Sequence, residues 1–114
     1  MPLIDVIHSV TLDEQRLRHL GAALPDVVAE AVDCPEEPWL GPPRVGDIEI
    51  RFRRKGPFDV GDLDVVVEVC TKRFASRVED WQRRAELIRD RLASLELGTI
   101  GVWLVLAEAA WAQN

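Results

Sequence analysis

A strand pattern, a helix pattern and a second strand pattern follow one another in this chain, and the succession occurs twice. The first unit begins with LIDVIHSV at residues 3–10, and the second with LDVVVEVC at residues 63–70. Branched apolar runs of this kind are typical of strands, and apolar residues spaced three and four apart are typical of helices. The order β-α-β-β-α-β predicts an α+β fold: a mixed four-stranded sheet with two helices on one face. The other face is left open, which favours its coverage by a partner subunit.

The boundaries of the helices are predicted from capping residues. Thr11 and Ser76 are each followed three residues later by a glutamate, as in a capping box, so the helices are expected to begin there. Pro25 falls inside the first apolar stripe and lacks an amide N–H, so the first helix is predicted to kink or restart at this point. Residues 33–46 contain four prolines and two glycines and are predicted to be a loop.

Length and charge limit the classes of function. A chain of 114 residues suffices for one core, so residues 1–114 are expected to form a single domain. The net charge of -6 disfavours nucleic-acid binding. No apolar run approaches the ~20 residues of a membrane span, and the first residues lack the features of a signal peptide, so we expect no membrane contact and a cytoplasmic location. Two cysteines and two histidines form no ligand set at zinc spacing, so no metal is expected.

The first residues, MPLI, allow two interpretations of Pro2. A proline at the start of a strand costs nothing, because no ladder hydrogen bond needs its missing N–H. Alternatively, removal of Met1 gives Pro2 a free secondary amine, whose pKa of about 8 falls further in an apolar pocket. Such an amine can act as a general base near neutral pH.

Two basic clusters stand out in this acidic chain. RFRRK begins at Arg51, and TKRFASR includes Arg73 and Arg77. A guanidinium binds a carboxylate through two parallel hydrogen bonds, so these clusters are candidates for binding an acidic substrate. The alternative is that they form surface ion pairs with residues such as Glu49 or Asp64.

Four short pieces of the chain resemble the tautomerase superfamily: Pro2 before a strand, LDEQ at residues 12–15, KGPF at residues 55–58 and VWLVLAE at residues 102–108. This group includes 4-oxalocrotonate tautomerase, macrophage migration inhibitory factor and cis-3-chloroacrylic acid dehalogenase. The resemblance implies the β-α-β fold used twice, a homotrimer, a small carboxylate-bearing substrate and catalysis by Pro2 without a cofactor.

The same resemblance implies roles for other residues. Arg73 and Arg77 lie in the segment where related dehalogenases and a decarboxylase bind the substrate carboxylate. Glu108 lies where some members carry a water-activating glutamate, with a surface position as the alternative. Phe58 and Trp111 are candidates for the wall of a hydrophobic pocket, or for core or interface positions. The chain has no tyrosine, so the tyrosine that assists the dehalogenases and migration inhibitory factor is missing.

Three functions therefore remain open at this stage. The first is an enol–keto tautomerase that uses Pro2. The second is a hydratase, dehalogenase or decarboxylase of the same superfamily, in which Glu108 activates water. The third is a non-enzymatic module that binds a ligand or a partner, because ferredoxin-like folds have the same order of elements.

Overall fold

The computed structural model describes residues 2–114, which form four strands, three α-helices and one 3-10 turn. In chain order these are β1 (Leu3–His8), α1 (Glu14–Val32), β2 (Glu49–Arg54), β3 (Val65–Lys72), α2 (Ala75–Glu79), α3 (Trp81–Leu92), the 3-10 turn (Ala93–Leu95) and β4 (Ile100–Ala107). The predicted order of strands and helices is confirmed, except that two helices replace the second predicted one. The loop predicted at residues 33–46 lies between α1 and β2, as expected.

The four strands form one mixed sheet in the order β2-β1-β3-β4, which confirms the predicted α+β class. The outer strands β2 and β4 are parallel to β1 and β3 respectively, and the two central strands are antiparallel. This arrangement brings the beginnings of β1 and β2 and the ends of β3 and β4 to the same end of the sheet. We call this the Pro2 end, because Pro2 directly precedes β1.

Both long helices pack on one face of the sheet, and the residues buried there form one apolar cluster. Alternate residues of the strands supply the sheet side of this cluster, and α1 and α3 supply the other. Full burial of each such side chain contributes about 1.5–3 kcal/mol relative to an exposed position. Within residues 2–114, no helix covers the opposite face, where Trp103 is 67% exposed. The members of the buried cluster that come from β1 and β3 are Ile4, Val6, Val65, Val67 and Val69.

The first helix begins later than predicted. The helix is capped by Asp13, whose carboxylate oxygen accepts a hydrogen bond from the main-chain N–H of Arg16 at 2.8 Å. Thr11 does not cap it, because its hydroxyl bonds to that of Ser9, within a turn that starts once β1 has ended at His8. Both predicted boundaries, the capping box at Thr11 and a strand reaching residue 10, were therefore wrong.

Two further helix predictions need correction. The first helix runs from Glu14 to Val32 without a restart, so Pro25 lies inside one continuous helix. Ser76 lies within α2, which starts after Phe74 and ends at Glu79, and Asp80 separates α2 from the start of α3 at Trp81. Ser76 does not act as a cap because its hydroxyl instead donates to a carboxylate of the α1–β2 loop. None of the helices found in residues 2–114 has both the length and the apolar character needed to cross a membrane.

Candidate active site

The Pro2 end of the sheet carries a cavity of about 570 Å³. Its wall comes from three parts of the chain: Pro2, residues 37–47 of the α1–β2 loop, and Trp111 and Gln113 beyond β4. This volume falls within the roughly 300–1,000 Å³ that small-molecule sites occupy. The apolar part of the wall includes Pro38, Trp39, Leu40, Pro42 and Trp111, and the charged part consists of Glu37, Arg44 and Asp47.

Pro2 is buried, and its carbonyl oxygen accepts a hydrogen bond from the main-chain N–H of Glu49 at 3.3 Å. This bond extends the pairing of β1 and β2 by one residue and fixes the position of Pro2 at the end of the sheet. Both predicted interpretations of Pro2 are compatible with this position, because the residue starts a strand and also lines the cavity.

Glu37 lies near the start of the α1–β2 loop and contributes a carboxylate to the cavity wall. Its main-chain N–H donates to the Cys34 carbonyl at 3.1 Å, which fixes the backbone. Its side chain is 36% exposed and forms an ion pair with Arg77, with 3.3 Å between Oε1 and Nη2. Sequence analysis did not identify Glu37, although a long loop with no secondary structure of its own is often functional.

Arg77, predicted to bind substrate, is 1% exposed and is surrounded by acceptors of the protein itself. Its Nε donates to the Val32 carbonyl at 2.7 Å and its Nη1 to the Lys72 carbonyl at 2.9 Å. The guanidinium also lies over the ring of Phe74, with 5.2 Å between the guanidinium carbon and the ring centroid. Arg77 therefore reaches the cavity only through Glu37, and it ties the last turn of α1 to the end of β3.

A second arginine supports the same turn. Arg84 of α3 donates from Nη1 to the carbonyls of Ala31 and Asp33, at 3.0 and 2.7 Å. The last turn of α1 has no basic residue of its own, and its carbonyls have no partners within the helix. The two arginines supply these partners and place positive charge at the negative end of the helix dipole. The loop that leaves α1 toward the cavity thus starts from a fixed point.

Glu36, next to Glu37, joins this loop to α2. It accepts a hydrogen bond from the Ser76 hydroxyl and another from the Ser76 main-chain N–H at 3.2 Å. These hydrogen bonds stabilise the carboxylate and lower the pKa of Glu36 from 4.5 to about 2. The beginning of the loop is therefore held at both Glu36 and Glu37.

Arg44 and Asp47 form a turn at the far side of the cavity. The Arg44 N–H donates to Asp47 Oδ2 at 2.7 Å, and the Asp47 N–H donates to the Arg44 carbonyl at 3.0 Å. Gly46, between them, has a φ of 95°, which favours glycine. The turn fixes the backbone of Arg44 while its side chain is exposed. Sequence analysis did not single out Arg44, which lies outside the two basic clusters.

Arg73 and Glu108 lie together at the Pro2 end but not on the cavity wall. Their side chains form an ion pair with 3.5 Å between Nη1 and Oε1, and both are exposed, by 54% and 84%. The Arg73 N–H also donates to the Ala107 carbonyl at 3.0 Å, which continues the pairing of β3 and β4. The two residues for which the resemblance implied roles in substrate binding and water activation are therefore paired with each other.

The remaining predicted residues lie in different places. Trp111 lines the cavity, and its indole N–H donates to Gln113 Oε1 at 3.3 Å. Arg51 lies in β2 and pairs with Asp5 of β1, with 3.0 Å between Nε and Oδ1. Phe58 is 93% exposed in the segment after β2, at the opposite end of the sheet from Pro2. The structure therefore brings together Pro2 and Trp111, and separates both from Arg51 and Phe58 of the same chain.

Among residues 2–114, no three His, Cys, Asp or Glu side chains are arranged to hold a metal ion. No family model matches the sequence, and no curated protein has a significantly similar sequence. Solved structures do match, over nearly the whole chain. Malonate semialdehyde decarboxylase, in a structure described as a basis for decarboxylase and hydratase activities, aligns with a TM-score of 0.69 and 14% identity, over 98% of this chain and 90% of that one.

Two other structures show the same similarity. MIF2 of Leishmania major aligns with a TM-score of 0.56 and 21% identity, over 97% of this chain and 93% of that one. A fused 4-OT that forms a symmetric trimer aligns with a TM-score of 0.60 and 16% identity, over 92% of this chain and 85% of that one. All three are members of the tautomerase superfamily. The chain therefore has the fold of the tautomerase superfamily, as the resemblance of its sequence implied.

Proposed function

We propose that the chain is an enol–keto tautomerase of a small carboxylate-bearing substrate, with the amine of Pro2 as general base after removal of Met1. The observation that most supports this is the burial of Pro2 on the wall of a cavity of small-molecule size. A free N-terminal amine has a pKa of about 8, and the apolar wall disfavours its ammonium form. The neutral amine takes the proton of the enol hydroxyl and a proton is then delivered to the adjacent carbon, which gives the ketone.

The substrate that suits this cavity is apolar on one side and charged on the other. Trp39 and Trp111 offer flat surfaces to an unsaturated or aromatic body. Arg73 is proposed to bind the substrate carboxylate from outside the cavity wall, at the same end of the sheet. The predicted roles of Arg51 and Phe58 require the cavity of a neighbouring subunit, because in their own chain both lie away from it.

A second reaction is favoured by Glu37. Its carboxylate is on the cavity wall and is oriented by a buried guanidinium, so it is placed to accept a hydrogen bond from a water molecule in the cavity. On this alternative the chain adds water to an unsaturated acid, or dehalogenates or decarboxylates a related one. Glu108 was predicted for this role, and it remains the competing residue because it lies at the same end of the sheet.

We further propose a homotrimer in the cytoplasm. The uncovered face of the sheet exposes Trp103 and carries partly buried apolar residues that a second copy would bury. The fused 4-OT with the same fold is described as a trimer. The cytoplasmic location rests on Cys34 and Cys70, which are both free thiols, as is usual in a reducing compartment.

The experiment that tests the proposed reaction follows ketonisation of phenylenolpyruvate by ultraviolet absorbance, on untagged protein whose N-terminus is established by intact mass. Pro2→Ala is compared with wild type, and Arg89→Ala, which changes an exposed arginine of α3, serves as the control. A third protein carries two additional residues ahead of Pro2, so that the Pro2 nitrogen is part of an amide and is no longer a free amine. We expect the rate to fall in Pro2→Ala and in the extended chain, and to stay unchanged in the control.

The alternatives give different results in the same assay. Equal rates in wild type, Pro2→Ala and the extended chain would exclude Pro2 as the base and favour a binding module. Turnover of an unsaturated acid that is lost in Glu37→Gln and retained in Glu108→Gln would support the water-adding reaction with Glu37. The reverse pattern would support the predicted role of Glu108.

A further inference from the structure

The arginines at the Pro2 end differ in whether their guanidinium groups already have protein partners. Arg77 donates to two main-chain carbonyls and pairs with Glu37, and it is buried. Arg73 pairs with Glu108 outside the cavity wall. A guanidinium that already has protein acceptors must give some of them up before it can bind a ligand carboxylate through two hydrogen bonds.

Arg44 is in a different situation. It lies on the cavity wall, and the hydrogen bonds and ion pairs of residues 2–114 leave its guanidinium without a protein acceptor. Its backbone is fixed by the reciprocal hydrogen bonds with Asp47. The Asp47 carboxylate accepts the main-chain N–H of Arg44, and no hydrogen bond or ion pair within residues 2–114 joins this carboxylate to the Arg44 guanidinium.

Charge also favours Arg44 as the point at which an anion binds. The other charged groups on the described wall are Glu37 and Asp47, and both repel a carboxylate. Glu37 lies beside Arg77 at the start of the loop, whereas Arg44 lies near its end. Arg44 is the cation among the described residues of the wall, so an acidic ligand is attracted toward it and away from Glu37, although Asp47 in the same turn reduces this attraction. Trp39 and Trp111 are available to the apolar body of the ligand.

We propose that Arg44 is the residue that anchors the carboxylate of the substrate in the cavity, and that it therefore determines the specificity of the site for acids. The inference rests on the proposed function for the identity of the reaction, but the binding of a carboxylate at Arg44 stands separately. Arg77 then has a positioning role, through Glu37, and Arg73, outside the cavity wall, has a secondary role in binding.

The test measures binding and turnover separately. Phenylacetate and its neutral isostere phenylacetamide are titrated into the protein while tryptophan fluorescence is followed, and KM and kcat are measured with phenylenolpyruvate. The variants are Arg44→Ala, Arg44→Lys and Arg73→Ala, with Arg89→Ala, an exposed arginine of α3, as the control. Each of these arginines is exposed, so the variants are expected to fold.

We expect Arg44→Ala to raise the Kd of phenylacetate by about tenfold or more, which is the effect of losing hydrogen bonds to a charged group. In Arg44→Ala the Kd of phenylacetamide should not change, and the KM of phenylenolpyruvate should rise while kcat stays nearly constant. The Kd of phenylacetate in Arg44→Lys should fall between those of wild type and Arg44→Ala, because lysine keeps the charge but not the planar fork of donors. Equal binding of the acid and the amide by wild type would overturn the proposal. An unchanged Kd of phenylacetate in Arg44→Ala would also overturn it. If Arg73→Ala at the same time binds phenylacetate more weakly, the anchoring role belongs to Arg73.

The same measurements separate this inference from the proposed function. If Pro2→Ala retains full turnover while Arg44→Ala no longer binds phenylacetate tightly, the assignment of Pro2 as the base is wrong and the anchoring role of Arg44 stands. If Pro2→Ala loses turnover while Arg44→Ala binds phenylacetate normally, the base is right and the anchoring role is refuted.

Discussion

Replacement of Arg77 by alanine tests the conclusion that this residue stabilises the fold and does not itself hold the substrate. The substitution removes two hydrogen bonds to main-chain carbonyls and the ion pair with Glu37. The carbonyl of Val32 belongs to the last turn of α1, and that of Lys72 to the end of β3. Both lose a charged donor in a region that water reaches poorly, because Arg77 is 1% exposed.

The magnitude follows from these contacts. A buried acceptor left without a partner costs about 1–3 kcal/mol, and removal of one partner of a buried ion pair costs about 3–5 kcal/mol. Because Glu37 is 36% exposed, water compensates most of its loss, so the ion pair adds no more than about 1 kcal/mol, and the two carbonyls at the lower end of their range add about 2 kcal/mol. We therefore expect Arg77→Ala to reduce the free energy of unfolding by about 3 kcal/mol, which at a urea m-value of about 2 kcal/mol/M lowers the midpoint by about 1.5 M.

Urea unfolding followed by far-ultraviolet circular dichroism measures this shift, at one fixed protein concentration because association also stabilises the folded state. Arg73→Ala is the matched control, since it removes an arginine of the same segment whose ion pair is exposed and worth about 0–1 kcal/mol. Arg77→Lys keeps the charge with fewer donors and should fall between wild type and Arg77→Ala. A midpoint in Arg77→Ala within about 0.5 M of wild type, with an unchanged m-value, would refute the reasoning.

Two further predictions concern a turn and a carboxylate. Gly98 has a φ of 80°, and a Cβ there would lie 2.8 Å from Asp64 Cγ. Gly41 has a similar φ of 96°, but a Cβ there would meet only open space. Gly98→Ala should therefore lower Tm by more than Gly41→Ala does. Similar Tm values for the two variants would show that the clash is relieved. Glu36 has a pKa of about 2 in the folded chain and about 4.5 when unfolded, so its stabilising bond with Ser76 is fully present above the higher value and is lost as the pH falls toward the lower one. The Tm difference between wild type and Glu36→Gln should therefore shrink below about pH 4.5, and a constant difference down to about pH 2.5 would contradict this.

The order of strands and helices along the chain could be predicted because it depends on local patterns. Strand alternation and helical spacing are properties of neighbouring residues, and the buried faces of the strands in the structure follow the apolar positions of the sequence. Capping was predicted less well, because it depends on which of several nearby polar side chains has the right geometry. Asp13 and Thr11 are both good caps, and Thr11 bonds to Ser9 instead.

The cavity could be predicted only in part, because its charged residues are positioned by contacts between distant parts of the chain. Arg77 and Arg84 reach the last turn of α1 from 45 and 53 residues away, through bonds to Val32 and Ala31. No local pattern distinguishes a buried capping arginine from an exposed one that binds a substrate. Glu37 is likewise an ordinary surface residue of a proline-rich loop until Arg77 is placed beside it.

The position of Pro2, by contrast, is a consequence of topology. Because β1 is a central strand, its first residue lies in the middle of the sheet end, where the Pro2 carbonyl pairs with Glu49. Because β2 is parallel to β1 and antiparallel to β3, the loop that enters β2 and the segment that leaves β4 at Ala107 must emerge at this same end. These two segments form the rest of the cavity wall. Pro2 is therefore enclosed by these two segments, and the chemistry that we propose for the site depends on whether Pro2 carries a free amine and on which charged groups the α1–β2 loop carries.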